Sequence, residues 1–208
     1  MNISLNNFLT TNFKKDKLKK PLFYNFEYGL RINLQSNYEF ESDSYFKECI
    51  DRSLLIFENT FEPNDNILVV INISQNKRKK ISKNNFIFSQ IKNLNYRSVY
   101  FKKYSNHHNS ELKLCIQANI QSSTKHINYF KLIEALIHRD FPNKIPRITD
   151  DLIFVNLDKK IIFKIYDDRG LDVVSKTIET LEPIYKKYNE WILDYDRVKI
   201  DHVFNIKK

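Results

Sequence analysis

The run Ile161-Ile-Phe-Lys-Ile-Tyr-Asp-Asp-Arg-Gly-Leu-Asp-Val-Val174 leaves the chain few ways to fold. Ile161 to Tyr166 are mostly apolar and β-branched, the composition of a strand. Asp167-Asp168-Arg169-Gly170 then has turn chemistry, because an aspartate can bond its own backbone two residues on. Leu171 to Val174 can pair back as a second strand. The whole chain has only two glycines, so one at this turn marks a backbone need. The expected need is a positive φ at a turn or bulge.

The same reasoning extends along the chain. Ile3 to Phe13 carry apolar residues at helical spacing, and Pro21 ends any helix beyond the Lys14–Lys20 cluster. Phe26 to Leu34 alternate as a strand, with Tyr28, Leu30, Ile32 and Leu34 on one side. Ser42 or Asp43 caps a helix to about Phe61 whose stripe is Phe46, Ile50, Leu54, Phe57 and Phe61. Ile67 to Ile73 is a nearly unbroken apolar run, which predicts a strand covered on both faces. A short helix is expected over Phe86–Leu94. Two strands follow, Tyr96–Tyr104 and Leu112–Ile120, joined by a polar loop at Ser105–Ser110. Thr124 is the expected cap of a helix carrying Ile127, Phe130, Ile133 and Ile137. Leu152–Leu157 precedes the Ile161 strand, so 152–174 reads as a three-stranded meander. Pro183 suits the first turn of a final helix whose apolar face is Ile184, Tyr188, Trp191, Ile192 and Tyr195. Asp196–Phe204 adds a last short helix.

The expected fold is therefore α+β: a mainly antiparallel sheet with helices packed on it, including the C-terminal meander and a C-terminal helix. Residues 1–208 read as a single domain, with two lobes, 1–121 and 125–208, as the alternative. At 42% hydrophobic and 14% aromatic, the composition fills a core and argues against disorder. The formal charge of +9 permits contact with nucleic acid, an anionic membrane surface or an acidic protein without choosing among them. No secretory leader and no run long enough to cross a bilayer is visible, so the expected compartment is the cytoplasm, without membrane contact. Cys49 and Cys115 lack C-x-x-C spacing and are expected to be reduced, buried thiols.

Several short stretches resemble a known bacterial family. They are Pro21-Leu-Phe-Tyr-Asn25 with Gly29-Leu-Arg31, Phe61-Glu-Pro63 ahead of Leu68-Val-Val-Ile-Asn72, and Arg139-Asp-Phe-Pro142. The strongest are Ile165-Tyr-Asp-Asp-Arg-Gly170 and Tyr185-Lys-Lys-Tyr-Asn-Glu-Trp-Ile-Leu-Asp-Tyr-Asp-Arg197. Together they resemble the family known as domain of unknown function 3885 over nearly the full length. The resemblance implies a compact bacterial cytoplasmic protein in which the hairpin tip is a family feature. It implies no activity and no catalytic residue.

Catalytic spacings are missing. There is no G-x-S-x-G elbow, no H-E-x-x-H, and too little glycine for a phosphate-cradling loop. No catalytic residue, metal ligand set or cofactor is expected. Asp167, Asp168 and Asp172 around one turn have the chemistry to hold a divalent cation or an arginine-rich partner. Turn bonding and salt bridges to Arg169 or Arg31 are the plainer reading. With Arg169, Tyr188, Trp191 and Tyr195 they form the expected partner-binding set. The favoured function is a non-catalytic protein-binding module of toxin-neutralising, immunity-like type. A nucleic-acid-binding module is the alternative, using Lys77, Arg78, Lys79, Lys80, Arg97, Tyr100 and Lys102. A metal-assisted enzyme built on the three aspartates is a third.

Overall fold

The computed structural model describes residues 4–75, 85–108 and 111–205. Helices α1 (Leu5–Phe13) and α2 (Leu22–Asn25) lead into strand β1 (Tyr28–Asn33). Helix α3 (Asp43–Thr60), strand β2 (Asn66–Gln75) and helix α4 (Phe86–Ser89) follow. Strands β3 (Tyr100–His108) and β4 (Glu111–Ser123) form a hairpin ahead of helix α5 (Tyr129–Ile137). Strands β5 (Asp151–Asn156), β6 (Ile161–Asp167) and β7 (Gly170–Ser175) form the expected meander. Helices α6 (Ile178–Lys187) and α7 (Asp194–Asn205) come last. The fold is α+β. Its seven strands make one antiparallel sheet in the order β1-β7-β6-β5-β2-β4-β3.

Strand β2 is covered on both faces, as its unbroken apolar run predicts. Ile67, Val69 and Ile71 join the larger core under α3 and α5, while Leu68 and Val70 join a smaller one under α1 and α2. Phe57 of α3 anchors the larger core. It stacks on Phe61 at 4.3 Å and Tyr129 at 4.7 Å, and meets Phe154 and Phe163 edge-on. Ser42 caps α3 by accepting from the Tyr45 amide at 3.1 Å.

Four expectations are corrected, most of them by contacts between segments distant in sequence. First, α4 ends at Ser89, and α5 is capped by Asn128 instead of Thr124. The cause is pairing between the two connections. Lys92 N–H donates to His126 O at 2.7 Å, and Asn128 N–H to Gln90 O at 2.8 Å. Phe130 is exposed as a result. Second, Tyr96 lies in a 3₁₀ turn, Tyr96–Ser98, because the Asn95 side chain accepts from the Arg97 amide. The strand begins only at Tyr100, and it extends through His107 and His108, which the sequence places in a loop. Third, the helix expected to carry Ile184 through Tyr195 ends at Lys187, and Tyr195 belongs instead to α7, the expected last helix. Ile192 bridges to Ile32 of β1, and Leu193 N–H donates to Arg31 O at 2.9 Å, which holds the backbone extended between α6 and α7. Pro183 sits inside α6, because the burial of Ile178 and Leu181 starts that helix earlier. Fourth, Gly170 has no positive φ. A Cβ there would lie 2.9 Å from Ile32 O and 2.9 Å from a Tyr166 ring carbon, so the need is for space. The bulge itself falls in β6, between Ile165 and Asp167.

Candidate binding surfaces

The hairpin tip is built by the register of β6 and β7. Asp167 and Asp168 are both nearly buried. Asp167 accepts from the Arg169 amide at 2.9 Å and holds the Arg169 guanidinium in a salt bridge. Asp168 accepts the Tyr45 hydroxyl at 2.5 Å. Burial raises the Asp168 carboxyl above its ordinary range, and the Tyr45 bond opposes that rise. Burial also raises the Tyr45 hydroxyl and pushes the nearby Cys49 thiol up to about 12, so Cys49 carries no reactive thiolate. Arg169, by contrast, keeps a side chain 68% exposed.

The structure separates Asp172 from its two neighbours in sequence. Asp172 lies in β7, where strand alternation turns it to the face under α1 and α2. There it is fully buried and accepts from Arg31 Nε at 3.1 Å, Tyr166 Oη at 2.5 Å and the Phe23 amide at 3.1 Å. Arg31 Nη1 reaches Asp196 of α7 at 3.0 Å and Tyr24 at 3.1 Å. One arginine thus ties α2, β1, β7 and α7 together. Among the described residues, no group of three or more His, Cys, Asp or Glu side chains could hold a metal ion. The three aspartates go to three different partners.

That buried network is one end of a polar row the sequence reading missed. Every strand contributes a polar residue to it in register. Arg31 faces Asp172, which faces Lys164; Asp151 faces Asn72, which faces Gln117, which faces Lys102. Lys164 and Lys20 both pair with Asp151. Asn72 donates to Asp151 at 3.1 Å, and Gln117 donates to Asn72 at 2.9 Å. Burial alone would raise the Asp151 carboxyl, but Lys164 and Lys20 outweigh it and hold it well below the usual range. In β6 and β7 the signal available in sequence was a lone charged residue, Lys164 or Asp172, among apolar neighbours.

The aromatic residues expected at a partner surface do not share one. Tyr188 is buried, stacks on Trp191 at 4.8 Å and accepts from Asn59. Arg52 lies over the Trp191 ring at 5.2 Å. Tyr195 stands 85% exposed on α7. Of the nucleic-acid set, Lys77, Arg78, Lys79 and Lys80 lie outside the described residues. Arg97, Tyr100 and Lys102 are all exposed at the β3 end of the sheet, beside exposed Phe101. Along the sequence the charge is unevenly spread. Nine lysines and arginines and no acidic residue lie between Asn66 and Ser110, so this stretch carries the whole +9, and the rest of the chain has 25 residues of each sign.

No helix among the described residues is long and apolar enough to cross a membrane. No solved structure matches this chain. An uncharacterised protein of Bacillus subtilis (strain 168), YnaE, is 28% identical to it over 191 residues, covering 81% of this chain and 82% of the relative. The profile of the family described as domain of unknown function (DUF3885) matches residues 5–196. That span holds the meander, the buried arginine network and the tip, and the chain belongs to the DUF3885 family.

Proposed function

We propose that the protein is a non-catalytic binding module whose partner is an acidic protein, engaged along the outer edge of β3. One observation carries this reading: among the described residues β3 ends the sheet, and the exposed cations Arg97 and Lys102 at that end belong to the stretch of sequence that holds the net charge. Strand β3 has β4 on one side and ends the sheet on the other. It presents exposed Tyr100, Phe101 and Lys102, with exposed Arg97 just before it. An extended acidic segment added to this edge gains main-chain hydrogen bonds, and its charge complements exposed Arg97 and Lys102. Neutralising a toxic protein is one use of such a surface, and the cytoplasm is the compartment that suits the free Cys49.

The test places a photo-crosslinking residue at Phe101 in the full chain within its native host. The expected result is a crosslink to an acidic, extended segment of one protein, lost in an Arg97→Glu/Lys102→Glu chain. A crosslink that survives charge reversal overturns the reading.

Single-stranded nucleic acid is a second reading, favoured by a separate observation. Tyr100 and Lys102 share a sheet face with Asn119, the cross-strand partner of Tyr100. Asn119 Oδ1 is buried and has no hydrogen-bond partner among the described residues. Exposed Tyr100 offers a ring on which a base can stack, and exposed Lys102 beside it can meet a phosphate. Polarisation titration with an oligonucleotide decides it. Binding that weakens steeply with salt and is lost in Tyr100→Ala establishes this reading, and absence of binding at low salt removes it.

A further inference from the structure

A cleft of about 650 Å³ opens between the β6–β7 tip, the connection from β1 to α3, and the segment after α5. Its apolar wall is Phe40, Phe46 and Phe141, with Phe141 edge-on to Phe46 at 4.7 Å and tilted to Phe40 at 5.9 Å. Five charged side chains line it: Glu41, Asp140, Asp168, Lys144 and Arg169. Both cations are already committed to carboxylates outside the lining. Lys144 pairs with Asp43 at 2.9 Å, and Arg169 bonds Asp167. Arg169 feels the charge of Asp168 and Asp140, but its hydrogen bonds go to Asp167. Among the described residues, none of Glu41, Asp140 and Asp168 has a salt-bridge partner. The most buried of them, Asp168, is 4% exposed and accepts only a neutral hydroxyl from a side chain. The chain itself sets an ammonium on this aromatic wall: Lys144 Nζ lies 4.6 Å from the Phe46 ring centroid.

We propose that this cleft binds a flexible aliphatic polyamine, a methylene chain carrying two or more ammonium groups. The ammonium groups meet Glu41, Asp140 and Asp168, and the methylenes lie on the phenylalanine rings. The inference is independent of the β3 surface, which attracts the opposite charge. A protein of net charge +9 repels polycations at long range, so affinity for one requires a local site.

Calorimetric titration of the full chain with spermidine tests it. Saturable binding to a single site is expected. Glu41 and Asp140 are both exposed, so a Glu41→Gln/Asp140→Asn chain keeps the fold and should bind at least about tenfold more weakly. Lys144→Gln removes the resident ammonium from the wall and should bind more tightly, a gain that misfolding cannot mimic. No saturable binding at millimolar spermidine, or equal affinity across the three chains, overturns the proposal.

Discussion

Arg31 shows how one side chain can be committed from several directions at once. Its partners Asp172 and Asp196 lie in different elements, and Asp172 is wholly buried. Removing one member of such a pair strands the other charge without water. Arg31→Ala or Asp172→Ala is therefore expected to cost about 3–5 kcal/mol, read from urea or thermal unfolding. Asp168 should behave differently. Its carboxyl is already raised by burial, and an asparagine can still accept the Tyr45 hydroxyl. Asp168→Asn is expected to change stability at neutral pH by less than about 1 kcal/mol. The two aspartates stand four positions apart in sequence and look alike there. The turn holds Asp168 against Tyr45 of α3, whereas the register of β7 on β1 sets Asp172 opposite Arg31. Gly170 teaches a similar lesson. Its scarcity in the chain pointed to a backbone need, but that need comes from Ile32 O and the Tyr166 ring, which are remote in sequence or on the paired strand. Gly170→Ala should destabilise by about 1–3 kcal/mol through overpacking.

At the scale of the element, the strands and the long helix were legible because each carries its own period. The stripe of α3 and its Ser42 cap, the two-sided burial of β2 and the meander of β5, β6 and β7 all follow from local spacing. Ser42→Ala should cost about 1 kcal/mol in unfolding measurements, as loss of a side-chain cap does elsewhere. Several element boundaries were not legible. The end of α4, the start of α5 and the break before α7 are set by bonds between segments far apart in sequence, such as Leu193 to Arg31. The expected aromatic set is dispersed at this scale. Tyr188, Trp191 and Tyr195 share a face only if one helix is continuous, and the extended link at Ile192 sends Tyr195 to solvent while Tyr188 stays in the core. For β3 the proposed partnership predicts a change in hydrogen exchange: amides of Tyr100–Lys102 should slow markedly on binding, while those of β7 should not.

At the scale of the whole molecule, the polar row sets the response to acid. Asp151 is held below its ordinary range by Lys164 and Lys20. A carboxylate depressed in the folded state contributes stability that is complete above the unfolded aspartate pKa of about 3.9 and is lost as pH falls through the folded value. Asp151→Asn should therefore lower the melting temperature at pH 7. It should also flatten the fall in melting temperature on acidification, measured by thermal melts between neutral pH and about pH 2.

The amino-acid sequence by itself determined the fold class, the family, the meander and the location of the net charge along the chain. Each of these is written in spacing, composition or short motifs that need no partner to be read. Only the tertiary structure decided that exposed Arg97 and Lys102 lie at the β3 end of the sheet, that Asp172 faces Arg31, and that Glu41, Asp140 and Asp168 share a cleft with three phenylalanines. The reason is physical: whether a charged side chain is spoken for depends on which remote segment lies within a few ångströms of it, and strand pairing sets that distance.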